Sequence, residues 1–439
     1  MPLSAPFQNA LPAMATAASS SGTDKKAVIV VYLGGGMDSH NFLTPRTGAN
    51  RATYDAARPD IGIADNPATA LTAALQLHPA LTMIKSLYDL GKVAIIQNCG
   101  PLQYPTTKAQ ITAGSVALPP GLESHSDQAS LWQLGESEST SLRTGWAGRM
   151  MDLLAPSFNT TAVTPPAFSF NGPQALSNAD VQRAIGLSPV GLSKTNYGGT
   201  TKPLIMDRLN AFFLNGADTN LQRQAFISAQ RSSLQSSDLI SSTIAAQTIA
   251  TVFPPGPLGT SLLTAIKLIK GMSSLTHRRQ VHYVSQGGYD HHQSLVPSLQ
   301  ANLAVLGPAL RAAYDATVEA GIQNNVTFIV YSEFGRTLQQ NISGTDHGWA
   351  GHAMVFGGAV VGGLYGSYPI LDTSGTASTG GRGIYIPTTP FECVYSPVIK
   401  WMGVPDTIQN GVNPLDLVLM NLTRFPNSGA SARNLGFLT

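Results

Sequence analysis

The chain has 439 residues, enough for one large domain or two ordinary ones and for a substantial buried core. Only 11% of residues are charged and the formal net charge is +2, so nothing in the charge balance calls for nucleic acid. No apolar run reaches the ~18 residues of a membrane span, and two cysteines do not make a disulfide framework.

The first 22 residues, rich in Ala, Ser and Pro, read as a flexible arm (residues 1–24) or a segment that docks on a partner. "KKAVIVVYLGGG" is an apolar run with a glycine stop, the pattern of a buried parallel strand. "ALTAALQLHPALTMIKSLYDLGK" has helical spacing closed by Gly91, and "VAIIQNCG" is a second buried strand. "SDQASLWQL" starts a helix with Ser126 or Asp127 as the expected N-cap. Residues 157–276 are polar loop followed by the helical stretches "PLIMDRLNAFFLNG" and "NLQRQAFISAQRSSLQSSDLISSTIAAQTIATVF", read as a helical insertion or cap. Three further strands follow, in "RRQVHYVSQGGYD", "NVTFIVYSEFG" and "HAMVFGGAVVGG". Between the first two lies a long helix expected to break at Pro308. This alternation predicts an α/β fold, a doubly wound and mostly parallel sheet built from residues 25–156 and 277–439.

The chemistry-bearing residues sit where these strands end, which is where open α/β sheets bind ligands. "VYLGGGMDSHN" supplies Asp38 and His40, "SQGGYDHHQ" supplies Asp290 and His292, and "VYSEFGRT" supplies Glu333 and Arg336. "GTDHGWAGH" adds Asp346, His347 and His352, and "ESHSDQ" adds Ser124 and His125. Carboxylates and neutral imidazoles are the ligands that zinc, manganese and similar ions take. Their convergence therefore predicts a metal site. The competing reading is a carboxylate–histidine network that pins loops to the sheet. The glycine run before Asp38 is not a dinucleotide fingerprint, since Ser39 stands where glycine is required. Cys99 and Cys393 either pair or are two buried thiols.

Taken together, "VIVVYLGGGMDSHNFLTP", "SHSDQ", "GGYDHHQ", "SEFGRT" and "GTDHGWAGHAMVFGGAVVGGLYG" resemble the DUF1501 family, over roughly residues 26–427. That family is grouped with the alkaline phosphatase/sulfatase superfamily, and many members carry twin-arginine export signals. The resemblance implies a secreted, periplasmic or extracellular metal-dependent hydrolase of phosphate or sulfate esters. It implies a divalent metal (zinc, manganese or calcium) on Asp38, Asp290, His292, Glu333, Asp346, His347 and His352. Ser124 is the candidate nucleophile, with Thr106 or Thr107 as runner-up; its other reading is a helix-capping hydroxyl. His125 is a candidate acid/base or ligand, and Arg336 a candidate clamp on the anion or a structural ion-pair partner. The sulfatase motif C-x-P-x-R is absent, because "GPL" follows Cys99. The expected partner is an anionic ester or polysaccharide, with a homo-oligomer or assembly also in view. The charge-poor composition and the N-terminal arm support an alternative, a non-catalytic secreted assembly subunit that keeps the hydrolase fold.

Overall fold

The computed structural model describes residues 24–192, 220–425 and 433–438. The N-terminal arm and the expected helix "PLIMDRLNAFFLNG" lie outside them.

Among the described residues nine strands form one sheet: β1 Lys26–Leu33, β2 Val93–Gly100, β3 Ala167–Ser169, β4 Ala184–Gly186, β5 Arg279–Gln286, β6 Val326–Tyr331, β7 Gly351–Gly357, β8 Gly363–Tyr365 and β9 Thr389–Pro390. The order across the sheet is β8-β2-β7-β6-β1-β5-β3-β4, with β9 also on β2. Every pairing is parallel except those of β7, which runs antiparallel to β2 and β6. The fold is therefore a mostly parallel α/β sheet.

Helices cover both faces: α1 Thr82–Asp89, α2 His125–Leu134, α3 Trp146–Phe158, α4 Leu221–Ala246, α5 Pro257–Lys270, α6 Leu295–Glu319 and α7 Glu392–Met402. Side chains alternate along a strand, so β1 feeds two cores. Val28 and Val30 pack with α2, α3 and α7, whereas Ala27, Ile29, Val31 and Leu33 pack with α1, α5 and α6. A sheet covered on both faces needs strands that are apolar throughout, which is why they read as continuous apolar runs.

Four local expectations are revised. The first half of "ALTAALQLHPALTMIKSLYDLGK" is loop with a short strand, Leu75–Leu77, and helix α1 occupies only the second half. His78 and Pro79 separate them, the histidine ring capping the 3-10 turn that follows. The N-cap of α2 is Ser124, whose hydroxyl accepts the Asp127 N–H. Helix α6 runs through Pro308 unbroken. The buried Leu303, Leu306, Ala309 and Leu310 on either side of it hold that turn against the sheet, and this packing offsets the missing backbone donor. The middle segment, expected as a helical insertion, also enters the sheet: β3 pairs with β5, and β4 forms the edge. Cys99 and Cys393 are both buried free thiols. Among the described residues no helix is long and apolar enough to cross a membrane.

One buried acid stands out at the start of α7. Glu392 is fully buried and neither carboxylate oxygen has a hydrogen-bond partner. Burial pushes its carboxyl from 4.5 up to about 8. The folded chain thus keeps a proton that the unfolded chain releases, so stability falls as pH rises from 4.5 towards 8. Glu392→Gln removes this dependence. In thermal melts between these limits, the variant is expected to gain most over the parent at the alkaline end. A gain that does not grow with pH would contradict the assignment.

Candidate metal centre

The register of the three central strands builds the site. Leu33 pairs with Gln286, and Tyr32 with Tyr331, so β1, β5 and β6 end side by side. Their following loops carry Gly35, Asp290 and Glu333. Because β7 is antiparallel, the loop that leads into it, with Asp346 and His347, arrives at the same edge. Helix α2 enters from one face and places His125 at its first turn. Gly35, at φ +122°, makes the close approach possible, since a Cβ there would meet the Asp290 N at 2.5 Å.

His125, Asp290 and His347 converge, with one ligand atom from each lying within 4.8 Å of the others. Asp290 Oδ1 is 3.5 Å from His125 Nε2 and 3.4 Å from His347 Nε2. Ligands about 2.0–2.1 Å from a tetrahedral ion stand roughly 3.3 Å apart, which matches these spacings. His292 joins at the exposed side, its Nε2 3.1 Å from Asp290 Oδ1 and 3.0 Å from His347 Nε2.

The hydrogen bonds fix two tautomers. His347 Nδ1 lies 2.7 Å from the Glu123 carbonyl oxygen, which only accepts, so Nδ1 carries the proton and Nε2 is bare. His125 Nδ1 lies 2.7 Å from Glu333 Oε1, a carboxylate oxygen that also accepts the Gly35 N–H. Its Nε2 is likewise bare, and it is buried without a hydrogen-bond partner. An orphaned imidazole nitrogen aimed at a carboxylate and a second bare imidazole is a donor set that fits a divalent cation.

Burial lowers the His347 pKa and so favours its bare Nε2. The Glu333 hydrogen bond raises that of His125, so a cation there competes with a proton for Nε2. For Asp290 burial works upward, but the Arg336 hydrogen bond and charge, with His292 and His125, hold it at about 2. Burial also raises Glu333, and its bonds to His125, Gly35 and Ser332 outweigh that and keep it low.

Other residues singled out from the sequence do not join the group. Asp38 is fully buried in a two-pronged ion pair with Arg58, at 2.5 and 2.9 Å. His352 is buried, takes the Asn98 N–H on Nδ1 and stacks on Tyr368; burial lowers it to about 3. Glu333 stands one step back, as the anchor of His125. Asp346 is paired with Arg382 on one oxygen and lies 3.4 Å from His292 Nδ1 on the other. Ser124 caps α2 and its hydroxyl lies 3.3 Å from Ser126 Oγ. Arg336, expected as an anion clamp or a structural partner, is buried. Its donors go to the carbonyls of Gly35, Gly36 and Thr345 and to Asp290, so it acts as a pin. Arg58, Arg382 and the Glu123 carbonyl were missed. An arginine twenty residues past Asp38 carries no local signal, and a backbone carbonyl carries none at all.

A family model described as "Protein of unknown function (DUF1501)" matches residues 25–377. The chain belongs to the DUF1501 family. No curated protein matches it. Solved structures similar to this DUF1501 chain include Ps i-CgsB in complex with k-i-k-neocarrahexaose, at 10% identity and TM-score 0.36, covering 91% of this chain and 77% of that one. The lipoteichoic acid synthase LtaP from Listeria monocytogenes is 8% identical at TM-score 0.36, over 92% of this chain and 81% of that one. The PsFucS1 sulfatase from Pseudoalteromonas sp. is 9% identical at TM-score 0.35, over 95% and 76%.

Two outcomes are expected. Arg58→Met leaves Asp38 buried without its partner and should cost about 3–5 kcal/mol in urea unfolding. A loss near zero would mean that Asp38 is not held by this pair. Glu333→Gln weakens the anchor of His125 and should lower zinc affinity about ten- to hundredfold by calorimetry. Unchanged affinity would remove Glu333 from that role.

Proposed function

We propose that this chain is an exported, metal-dependent hydrolase of phosphate or sulfate esters. The observation that carries the reading is the pair of bare Nε2 atoms, on His125 and His347, meeting Asp290. Two imidazoles and one carboxylate suit zinc or manganese and fit calcium poorly, since calcium prefers an all-oxygen shell. Three protein ligands with a solvent-facing side leave a position open, as in catalytic and not structural sites. Asp38, His352, Glu333 and Asp346 are then supports of the ion's surroundings, and the expected ligand set shrinks to His125, Asp290 and His347.

When bound, the ion polarises the ester oxygens and lowers the pKa of a nearby water. The chain's own residues do the rest. Glu333 and the Glu123 carbonyl hold the two imidazoles in the ligand tautomer. Arg336 holds the Asp290 carboxylate ionised. His292 is half-exposed at the mouth, with Asp346 beside its Nδ1, and is placed to pass a proton to the leaving oxygen. Ser124 serves the helix, so in this reading the attacking group is water.

The test is elemental analysis of protein never exposed to chelator, beside a screen of aryl phosphates and aryl sulfates. The parent is expected to hold about one equivalent of zinc or manganese per chain, in keeping with one such group. His125→Ala with His347→Ala should lose both the metal and any hydrolysis, whereas His292→Ala keeps the metal and loses turnover. A parent that stays metal-free after incubation with both ions overturns the proposal.

A further inference from the structure

A second site lies away from the histidines, on the edge strands β3 and β4. There a cavity of about 460 Å³ opens between these strands and the loops around them. That is within the range of about 300–1,000 Å³ typical of small-ligand pockets. Its floor is made by Ser169 and Gly186, paired across the two strands, and by Ala184. Gln174, Gln182, Arg143 and Arg183 stand around it.

The walls are held in place. Buried Asp152 on α3 accepts the backbone N–H of Asp180, Val181 and Gln182, at 2.8, 3.2 and 2.7 Å. This fixes the loop that leads to Arg183. Gly148 lets α3 lie directly on that loop, since a Cβ there would come within 1.9 Å of the Asn178 oxygen. On the other side Gln174 is tied to Gln133, in the last turn of α2, at 3.1 Å. The cavity is thus preorganised, which reduces the entropic cost of binding.

Its chemistry is selective. Arg143 is occupied by Asp180. Arg183 is exposed and, among the described residues, its guanidinium has no partner; the same holds for the Gln182 side-chain amide. The lining has no aromatic ring on which a nucleobase could stack, and its only apolar side chains are Pro173, Ala179 and Ala184. An apolar peptide anchor has no seat there. Amides, hydroxyls and one unpaired cation suit a hydroxyl-rich anion. We propose that this cavity binds an acidic saccharide, a sugar carrying sulfate or carboxylate, with Arg183 on the acidic group and Gln182 on hydroxyls. The inference goes beyond the metal centre and does not require it.

The test is calorimetric titration of chelator-treated full-length protein with galactose 6-sulfate and galacturonic acid. Galactose and inorganic sulfate are the controls. At least one acidic sugar should bind, and which one does tells sulfate from carboxylate. Arg183→Gln should weaken it roughly ten- to hundredfold, the worth of one charged hydrogen bond. Gly186→Leu should abolish binding by filling the floor; the position is open, with Gly172 Cα 3.9 Å from a Cβ built there. Neither variant should shift the melting temperature, because neither side chain replaces a contact. His125→Ala with His347→Ala should bind as the parent does, so failure of the metal reading leaves this one standing. Equal binding of galactose or of inorganic sulfate overturns the proposal. So does loss of binding only in the histidine variant, or no binding at all.

Discussion

One buried cation organises the whole carboxyl edge of the sheet. Arg336 donates to the carbonyls of Gly35 and Gly36 after β1, to Thr345 before β7, and to the Asp290 carboxylate after β5. These groups belong to three different loops, and the buried carbonyls among them would otherwise be left without a donor in the protein interior. A single planar guanidinium, with its donors in a fixed fork, satisfies them together. The loops that bear Asp290 and His347 are therefore placed relative to β1 by one side chain. Any chemistry at this edge inherits its geometry from that pin.

Helix α2 completes the arrangement from outside the sheet. Its N-terminus sets His125 against Glu333, and Trp132 two turns on donates its indole N–H to the Glu333 carbonyl at 3.0 Å. The helix is thus fastened at both the side chain and the backbone of the same residue. Trp132 also stacks on Tyr331 at 4.5 Å, within the core that α3 and α7 share. The position of an imidazole at the surface is in this way coupled to packing deep in the protein. The last turn of the same helix carries Gln133, which holds the wall of the edge cavity. Roughly 12 Å of helix, at about 1.5 Å per residue, separates the two features.

The ion pair of Asp38 with Arg58 shows how a residue with ligand chemistry is given another task. Asp38 follows β1 at a strand end, where a metal ligand is expected. Both of its oxygens are taken by Arg58, which also bonds the carbonyls of Leu338 and Thr337. Burial alone would raise the Asp38 carboxyl, and the guanidinium more than reverses this. His352 and His40 nearby are kept neutral by burial, each lowered to about 3. Ligand-type residues are thereby divided between an accessible group and a sealed one.

The sequence by itself determined the class of fold and the edge at which the polar residues gather. Continuous apolar runs such as "KAVIVVYL" require a strand covered on both faces, and the glycines and acids after them mark the strand ends. It also determined most members of the accessible group, because Asp290, His292 and His347 follow or precede strands in plain view. Only the tertiary structure decided which of them meet. Whether Asp38 faces an ion or an arginine depends on Arg58, which is distant in sequence from the other partners and is brought in by a separate loop. Whether Arg336 is a clamp or a pin depends on acceptors from three loops. The direction of β7 depends on its neighbours, and that direction is what delivers His347. Periodicity records burial and local capping; the pairing of side chains across loops is settled by packing and has no period to read.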